Sequence, residues 1–191
     1  KEPTDYDTTR LIMWEMANAL SLDLVEKGVV TNQLVITIGY DKESLSSGKY
    51  MGDVVMDYYG REVPKHAHGT INLDKHTSST KIITEAVMKL FDAIADPDLL
   101  SRRLGIAACN VISEEDIPRE EKYEQMSIFD LAKTPEDKKE TEEKLAKERA
   151  LQEAMLELKH KYGKNAVVKA KNLNKGGTAM ERNEQIGGHK A

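Results

Sequence analysis

An α+β fold is predicted by three features of this chain: two stretches with helical apolar spacing, three with strand-like alternation, and their order along the sequence. The order is helix, strand, irregular excursion, strand, helix, strand. It predicts a four-stranded sheet, counting one edge strand that would precede residue 1, with two helices on one face in a split βαβ arrangement. A C-terminal helical arm and a flexible tail complete the expectation. The second face of the sheet is left open and is the expected binding surface.

The first helix is read over residues 7–27, where Leu11, Ile12, Trp14, Met16, Leu20 and Leu24 recur at helical spacing. Asp5 or Asp7 can cap its start, and Gly28 follows its end. Residues 31–40 alternate, with Leu34, Ile36, Ile38 and Tyr40 on one face of a strand. Residues 44–63 hold Ser46, Ser47, Gly48 and Gly52 and the turn Tyr58-Tyr59-Gly60-Arg61, an excursion with room for a small hairpin. A second strand follows at 65–73. The cluster Thr77-Ser78-Ser79-Thr80 offers N-caps to a helix with the stripe Ile83, Val87, Leu90, Phe91 and Ile94, which stops at Asp96-Pro97. Residues 102–112 close the sheet, Leu104, Ile106 and Ala108 facing one way and Gly105, Ala107 and Cys109 the other.

Beyond residue 112 the composition changes, which divides the chain into a domain at 1–112, an acidic linker at 113–133, a helix at 134–163 and a basic tail at 164–191. The helix is acidic early and basic late, as its dipole favours, but its apolar stripe is only Leu151, Met155, Leu158 and Tyr162. So thin a stripe predicts weak attachment. The tail offers one short apolar strand candidate after Ala166 and then Gly-rich, basic residues.

Composition excludes some classes. Hydrophobic residues at 39% and charged residues at 32% predict a soluble protein, and no run of about 18 apolar residues could span a bilayer. The single Cys109 forms no internal disulfide and suits a reducing cytoplasm, where it is expected as a packed thiol. The net charge of −5 is unevenly spread: residues 113–157 carry 8 basic and 15 acidic groups, residues 158–191 carry 8 and 2. Only the tail and the near-neutral block 60–112 would welcome a polyanion. The chain opens Lys1-Glu2-Pro3 without Met, so a piece of something longer is expected.

Within the acidic linker, Gln125-Met126-Ser127-Ile128-Phe129 places two large apolar residues in polar surroundings. Such a pair folds back on its own domain or waits for a groove on a partner. The second reading is favoured, with Gln125 hydrogen-bonding, Ile128 and Phe129 filling an apolar cleft and Met126 along its rim.

Three segments resemble the C-terminal portion of Y-family translesion DNA polymerases, in the UmuC-like (ImpB/MucB/SamB) branch of bacteria. They are residues 22–28 running into Thr31-Asn32-Gln33-Leu34-Val35, residues 64–73 (Pro-Lys-His-Ala-His-Gly-Thr-Ile-Asn-Leu) with Thr77-Ser78-Ser79-Thr80-Lys81, and the ending Arg182 to Ala191. The resemblance implies the little-finger domain, a sheet with two helices that lies on duplex DNA, and a tail that binds the sliding clamp through residues 125–129. It places the polymerase in DNA repair and the SOS damage response. The catalytic palm and its magnesium would lie upstream, so this chain is expected to need no cofactor and to polymerise nothing by itself.

A grip on damaged templates has to read phosphates rather than bases. The implied DNA contacts are Lys65, His66, His68, Thr70 and Lys75 on the second strand and its turn, Ser78, Ser79 and Thr80 at a helix start, and Arg102 and Arg103, where the family carries an Arg pair. Each has a plainer reading. The Ser/Thr cluster caps a helix in any case, Arg102 and Arg103 could be a solvated edge, and Tyr58-Tyr59 packs a turn more readily than it stacks on bases. His66 and His68 share a strand face as zinc ligands would, yet no third ligand stands at a recognisable spacing. A module that binds a protein partner is the competing expectation for the whole chain.

Overall fold

A computed structural model describes residues 2–46, 48, 50–118, 135–186 and 189–190. The clamp-motif stretch 125–129 lies outside the described residues. The first helix, α1 (Tyr6–Glu26), starts at Asp5, whose carboxylate accepts a hydrogen bond from the Thr8 amide at 2.8 Å. It is followed by Gly28 at φ +63°, a left-handed position that glycine adopts without a steric penalty. Strand β1 (Val29–Tyr40) runs through the middle of the sheet. The excursion contains a hairpin of β2 (Val54–Met56) and β3 (Glu62–Pro64), then come β4 (Ala67–Thr77), α2 (Thr80–Ile94), β5 (Ser101–Cys109) and the short β6 (Ile112–Ser113).

Four of these strands form an antiparallel sheet in the order β4-β1-β5, with β6 pairing the first two residues of β1. β4 and β5 therefore run parallel on either side of β1, joined through α2, the split βαβ expected. Asn110 at φ 49° makes the turn that returns the chain to β1, a conformation Asn tolerates better than most residues. The fourth strand of this sheet is β6; among the described residues before α1, Thr4 joins the sheet, exchanging two backbone hydrogen bonds of 2.8 Å with Ser101 on the outer edge of β5.

Leu34, Ile36 and Ile38 of β1 are fully buried against the helices, each burial stabilising the fold by roughly 1.5–3 kcal/mol. Met13, Ala17 and Leu24 of α1 and Ile83, Val87, Leu90 and Phe91 of α2 complete that core. The helices run antiparallel. Ser21 shares a hydrogen bond with Thr80 at one end, and Arg10 grips Asp92 through two bonds of 2.7 and 2.8 Å at the other. The α1 stripe expected from spacing was partly misplaced: Leu11, Ile12 and Met16 are only half-buried, while the polar Thr9, Glu15, Asn18 and Ser21 are buried. α1 is covered on two sides, by the sheet and by the C-terminal segments, so its burial has no single helical stripe.

The C-terminal arm corrects two expectations. Helix α3 (Pro135–Tyr162) attaches through a mixed face: of the expected stripe only Met155 is buried, beside the polar Gln152, while Leu151, Leu158 and Tyr162 are exposed. The tail, expected to be flexible, is seated on α1. Lys169 and Lys171 lie 5.7 and 4.4 Å from the Trp14 ring centroid, and the short helix α4 (Ala179–Asn183) brings Arg182 to 3.2 Å from the buried Glu15 carboxylate. The Thr178 amide donates to the same oxygen at 2.9 Å. A side chain at Gly177 would stand 2.9 Å from Glu15 and 2.6 Å from the Asn172 carbonyl, so only glycine admits this close passage. The strand candidate after Ala166 forms no strand; a two-stranded pair, β7 (Gln185–Ile186) with β8 (His189–Lys190), follows α4. No helix among the described residues is long and apolar enough to cross a membrane.

Candidate nucleic-acid interface

Strand alternation sorts the sheet into two faces. Leu34, Ile36 and Ile38 point to the helices together with their ladder partners Ile71, Gly69 and Ala67 on β4 and Ala108, Ile106 and Leu104 on β5. The residues between them form the uncovered face. Its rows read Asn72, Gln33 and Cys109; Thr70, Val35 and Ala107; His68, Thr37 and Gly105; and Gly39 with Arg103. No carboxylate stands in these rows, in a chain of net charge −5. Cys109, expected as a packed thiol, is a half-buried free thiol on this face.

The polar groups are held in place. The Gln33 side-chain amide donates to Asn72 Oδ1 at 2.8 Å, and Thr37 Oγ1 lies 3.0 Å from His68 Nδ1. Cross-strand pairs of this kind fix side-chain direction. Thr70, His68, Asn72 and Arg103 are exposed. Lys75 is exposed farther along β4, within the register shift, and Lys65 makes an exposed ion pair of 3.0 Å with Asp53.

The expected Arg pair divides. Arg103 sits opposite Gly39 in the ladder, on the open face. Arg102 falls in the irregularity beside Tyr40 and reaches Asp41 at 3.1 Å, where it neutralises a carboxylate whose side chain is only 6% exposed. Asp41 also accepts from the Glu43 amide at 2.9 Å.

The Ser/Thr cluster stands elsewhere. Ser79 is the N-cap of α2, accepting from the Ile82 amide at 3.2 Å, so the capping role read from sequence is present. Ser78, Ser79 and Thr80 are all buried, under α3. Glu148 accepts from Ser79 Oγ at 2.7 Å and from the Lys81 amide at 2.8 Å, Arg149 donates to Ser78 Oγ, and Gln152 donates to the Ser78 carbonyl and to Thr80 Oγ1, both at 2.9 Å. An anion thus does sit at this helix start, as the dipole and free amides favour, but it is the chain's own carboxylate. Sequence reasoning missed Glu148 and Gln152, since one Glu and one Gln in a charged helix carry no distinguishing pattern.

Over one end of the open face stands the β2–β3 hairpin. Asp57 ties its turn, accepting from the Tyr59 and Arg61 amides and from the Arg61 guanidinium at 2.6–2.9 Å. Those bonds pull the Asp57 carboxyl down to about 2. Tyr58 and Tyr59 meet edge to face at 5.3 Å and remain exposed; they do not pack the turn into the core. His66 lines the space between hairpin and sheet.

Residues 1–128 match the family described as the impB/mucB/samB family C-terminal domain. A search of curated proteins gave no match.

Proposed function

The chain belongs to the impB/mucB/samB C-terminal domain family, the C-terminal region of Y-family DNA polymerases, and from that membership we propose that its open sheet face grips the backbone of primer–template DNA while residues 125–129 tether the enzyme to the sliding clamp during translesion synthesis in the SOS response. One observation carries the DNA reading: the rows from Asn72 to Arg103 form a polar, carboxylate-free surface, oriented by cross-strand hydrogen bonds, on an otherwise acidic protein.

The chemistry suits a sequence-blind grip. Arg103 supplies a charge, Thr70 and Asn72 supply neutral donors, and His68 can donate through Nε2, all to phosphate oxygens and none in a geometry that requires a particular base. Lys65 and Lys75 flank the face and would add charge, Lys65 by exchanging Asp53 for a phosphate. Arg102 would contribute indirectly, by neutralising Asp41 beside Arg103. The α2 start would receive a phosphate only after Glu148 leaves it.

Residues 1–112 would then be the grip, 113–133 the tether, and 134–163 with the tail a brace against the helices. A short linear motif of micromolar strength, about −8 kcal/mol, becomes an effective mooring when DNA holds the same complex at roughly millimolar effective concentration.

Fluorescence anisotropy on a primer–template duplex tests this. Binding at about 50 mM salt should weaken steeply toward about 200 mM, as counterion release requires. Absence of binding at the lower salt would support the protein-interaction reading instead. For the tether, Ile128→Ala with Phe129→Ala should abolish binding to a bacterial sliding clamp and leave DNA affinity unchanged; retained clamp affinity would sink that half of the proposal.

A further inference from the structure

The hairpin and the open face enclose a cleft of about 450 Å³, within the usual size of small-ligand sites. Its floor is made by two glycines diagonal to each other in the ladder, Gly105 opposite Thr37 and Gly39 opposite Arg103. Neither has a positive φ, so neither is needed for a turn. A side chain at Gly105 would meet nothing closer than Thr37 at 3.8 Å, whereas one at Gly39 would stand 3.2 Å from the Arg103 Cβ, so the floor is open at Gly105 and close-fitting at Gly39. Flat peptide planes lie there in place of side chains.

The other wall is the hairpin. Met56 and Tyr58 line the cleft and are 64% and 91% exposed, so neither serves the core. The hairpin is nonetheless held in shape, by Asp57 within the turn and by the Lys65 amide donating to the Asp53 carbonyl at 2.8 Å at its base. An exposed aromatic ring on a pinned support is a stacking surface.

The charges at the mouth are unequal. Arg61 and Arg102 are matched by Asp57 and Asp41. Arg103 and Lys42 also line the cleft and have no carboxylate partner among the described residues, which leaves the opening cationic. A flat slot with an aromatic wall and an unmatched cation at its edge is complementary to a planar ring joined to an anion. Stacking on the ring and an ionic contact to the anion discriminate little between bases, so the slot would accept any of them.

We propose that this cleft takes one unstacked nucleotide from a single-stranded extension of the DNA, its base between the Gly39–Gly105 floor and Tyr58, its phosphate on Arg103. The inference rests on the duplex grip proposed above and adds a second mode: the sheet holds paired DNA and the hairpin holds an unpaired nucleotide beside it. Stacking tolerates every base, as copying of damaged templates demands.

The test compares a blunt duplex with the same duplex bearing a short 5′ single-stranded extension that carries 2-aminopurine, each bound to the full chain. The extension should tighten binding by about tenfold, the effect of stacking one base, and the 2-aminopurine emission should be quenched. Tyr58→Ala, at an exposed turn position, should remove the gain and the quench and keep the blunt-duplex affinity. Gly105→Leu, which fills the floor without changing a charge, should also remove the quench. Equal affinity for blunt and extended duplexes in the unaltered chain would overturn the inference and leave the duplex grip standing, whereas loss of both would overturn the grip itself. Quenching that survives both substitutions would place the base elsewhere and defeat the proposal. So would capture of an acidic, tyrosine-containing peptide by the cleft with no response to the extended DNA.

Discussion

Glu148 closes the N-terminus of α2 around Ser79: its two carboxylate oxygens accept from the Ser79 hydroxyl at 2.7 Å and from the Lys81 amide at 2.8 Å. Ser79 in turn accepts from the Ile82 amide, so one side chain 69 residues away completes a cap begun locally. Replacing Glu148 by Ala should lower stability by about 1–2 kcal/mol, the cost of leaving a hydroxyl and an amide to water at a helix start. Chemical denaturation reads the loss, and hydrogen exchange should locate it at the Lys81 amide.

Arg102 and Arg103 are adjacent in sequence and should separate in experiment. Arg103→Ala is expected to weaken DNA binding and to reduce the salt slope by about one, with little change in melting temperature. Arg102→Ala should instead destabilise the fold by about 1 kcal/mol, because Asp41 is left buried with only the Glu43 amide on its carboxylate. Paired salt titrations and thermal melts distinguish the two.

Arg182→Ala should cost about 3 kcal/mol, since the Glu15 side chain is fully buried and would be left with only Thr178 as a partner. Release of the tail should accompany the loss, seen as faster tryptic cleavage after Lys171 and Lys175. Glu15→Gln, which retains an acceptor for Thr178, should be milder.

The hairpin turn should survive acid. Asp57 titrates at about 2 when folded, against an ordinary value of 3.8. A depressed carboxyl pKa stabilises above the unfolded value and loses that contribution as pH falls through the folded one. The turn is therefore expected to be fully held above about pH 4 and to loosen near pH 2. An NMR titration of the Asp57 carboxyl, with and without Arg61→Ala, checks both the value and its cause.

Much of this was legible in the chain. Leu34, Ile36 and Ile38 announce a strand by alternation, Ile83, Val87, Leu90 and Phe91 announce a helix by their spacing, and Gly28 and Ser79 mark helix ends, because these signals are local and periodic. His68 and Thr70 share a face of their strand by alternation alone, whereas the ladder is what sets Arg103, and not Arg102, on that face. Element order, the split βαβ plan and the apolar face of each strand follow from residue spacing. Tertiary structure alone decided that Glu15 is buried, that Glu148 and Gln152 cover the α2 start, that Arg102 serves Asp41 rather than the open face, and that the hairpin roofs a glycine floor. Each of those depends on polar or glycine residues meeting across long separations. Burial of a polar group is stabilised by one specific partner and not by a repeating pattern, so nothing in the spacing of residues reveals it until the chain has folded.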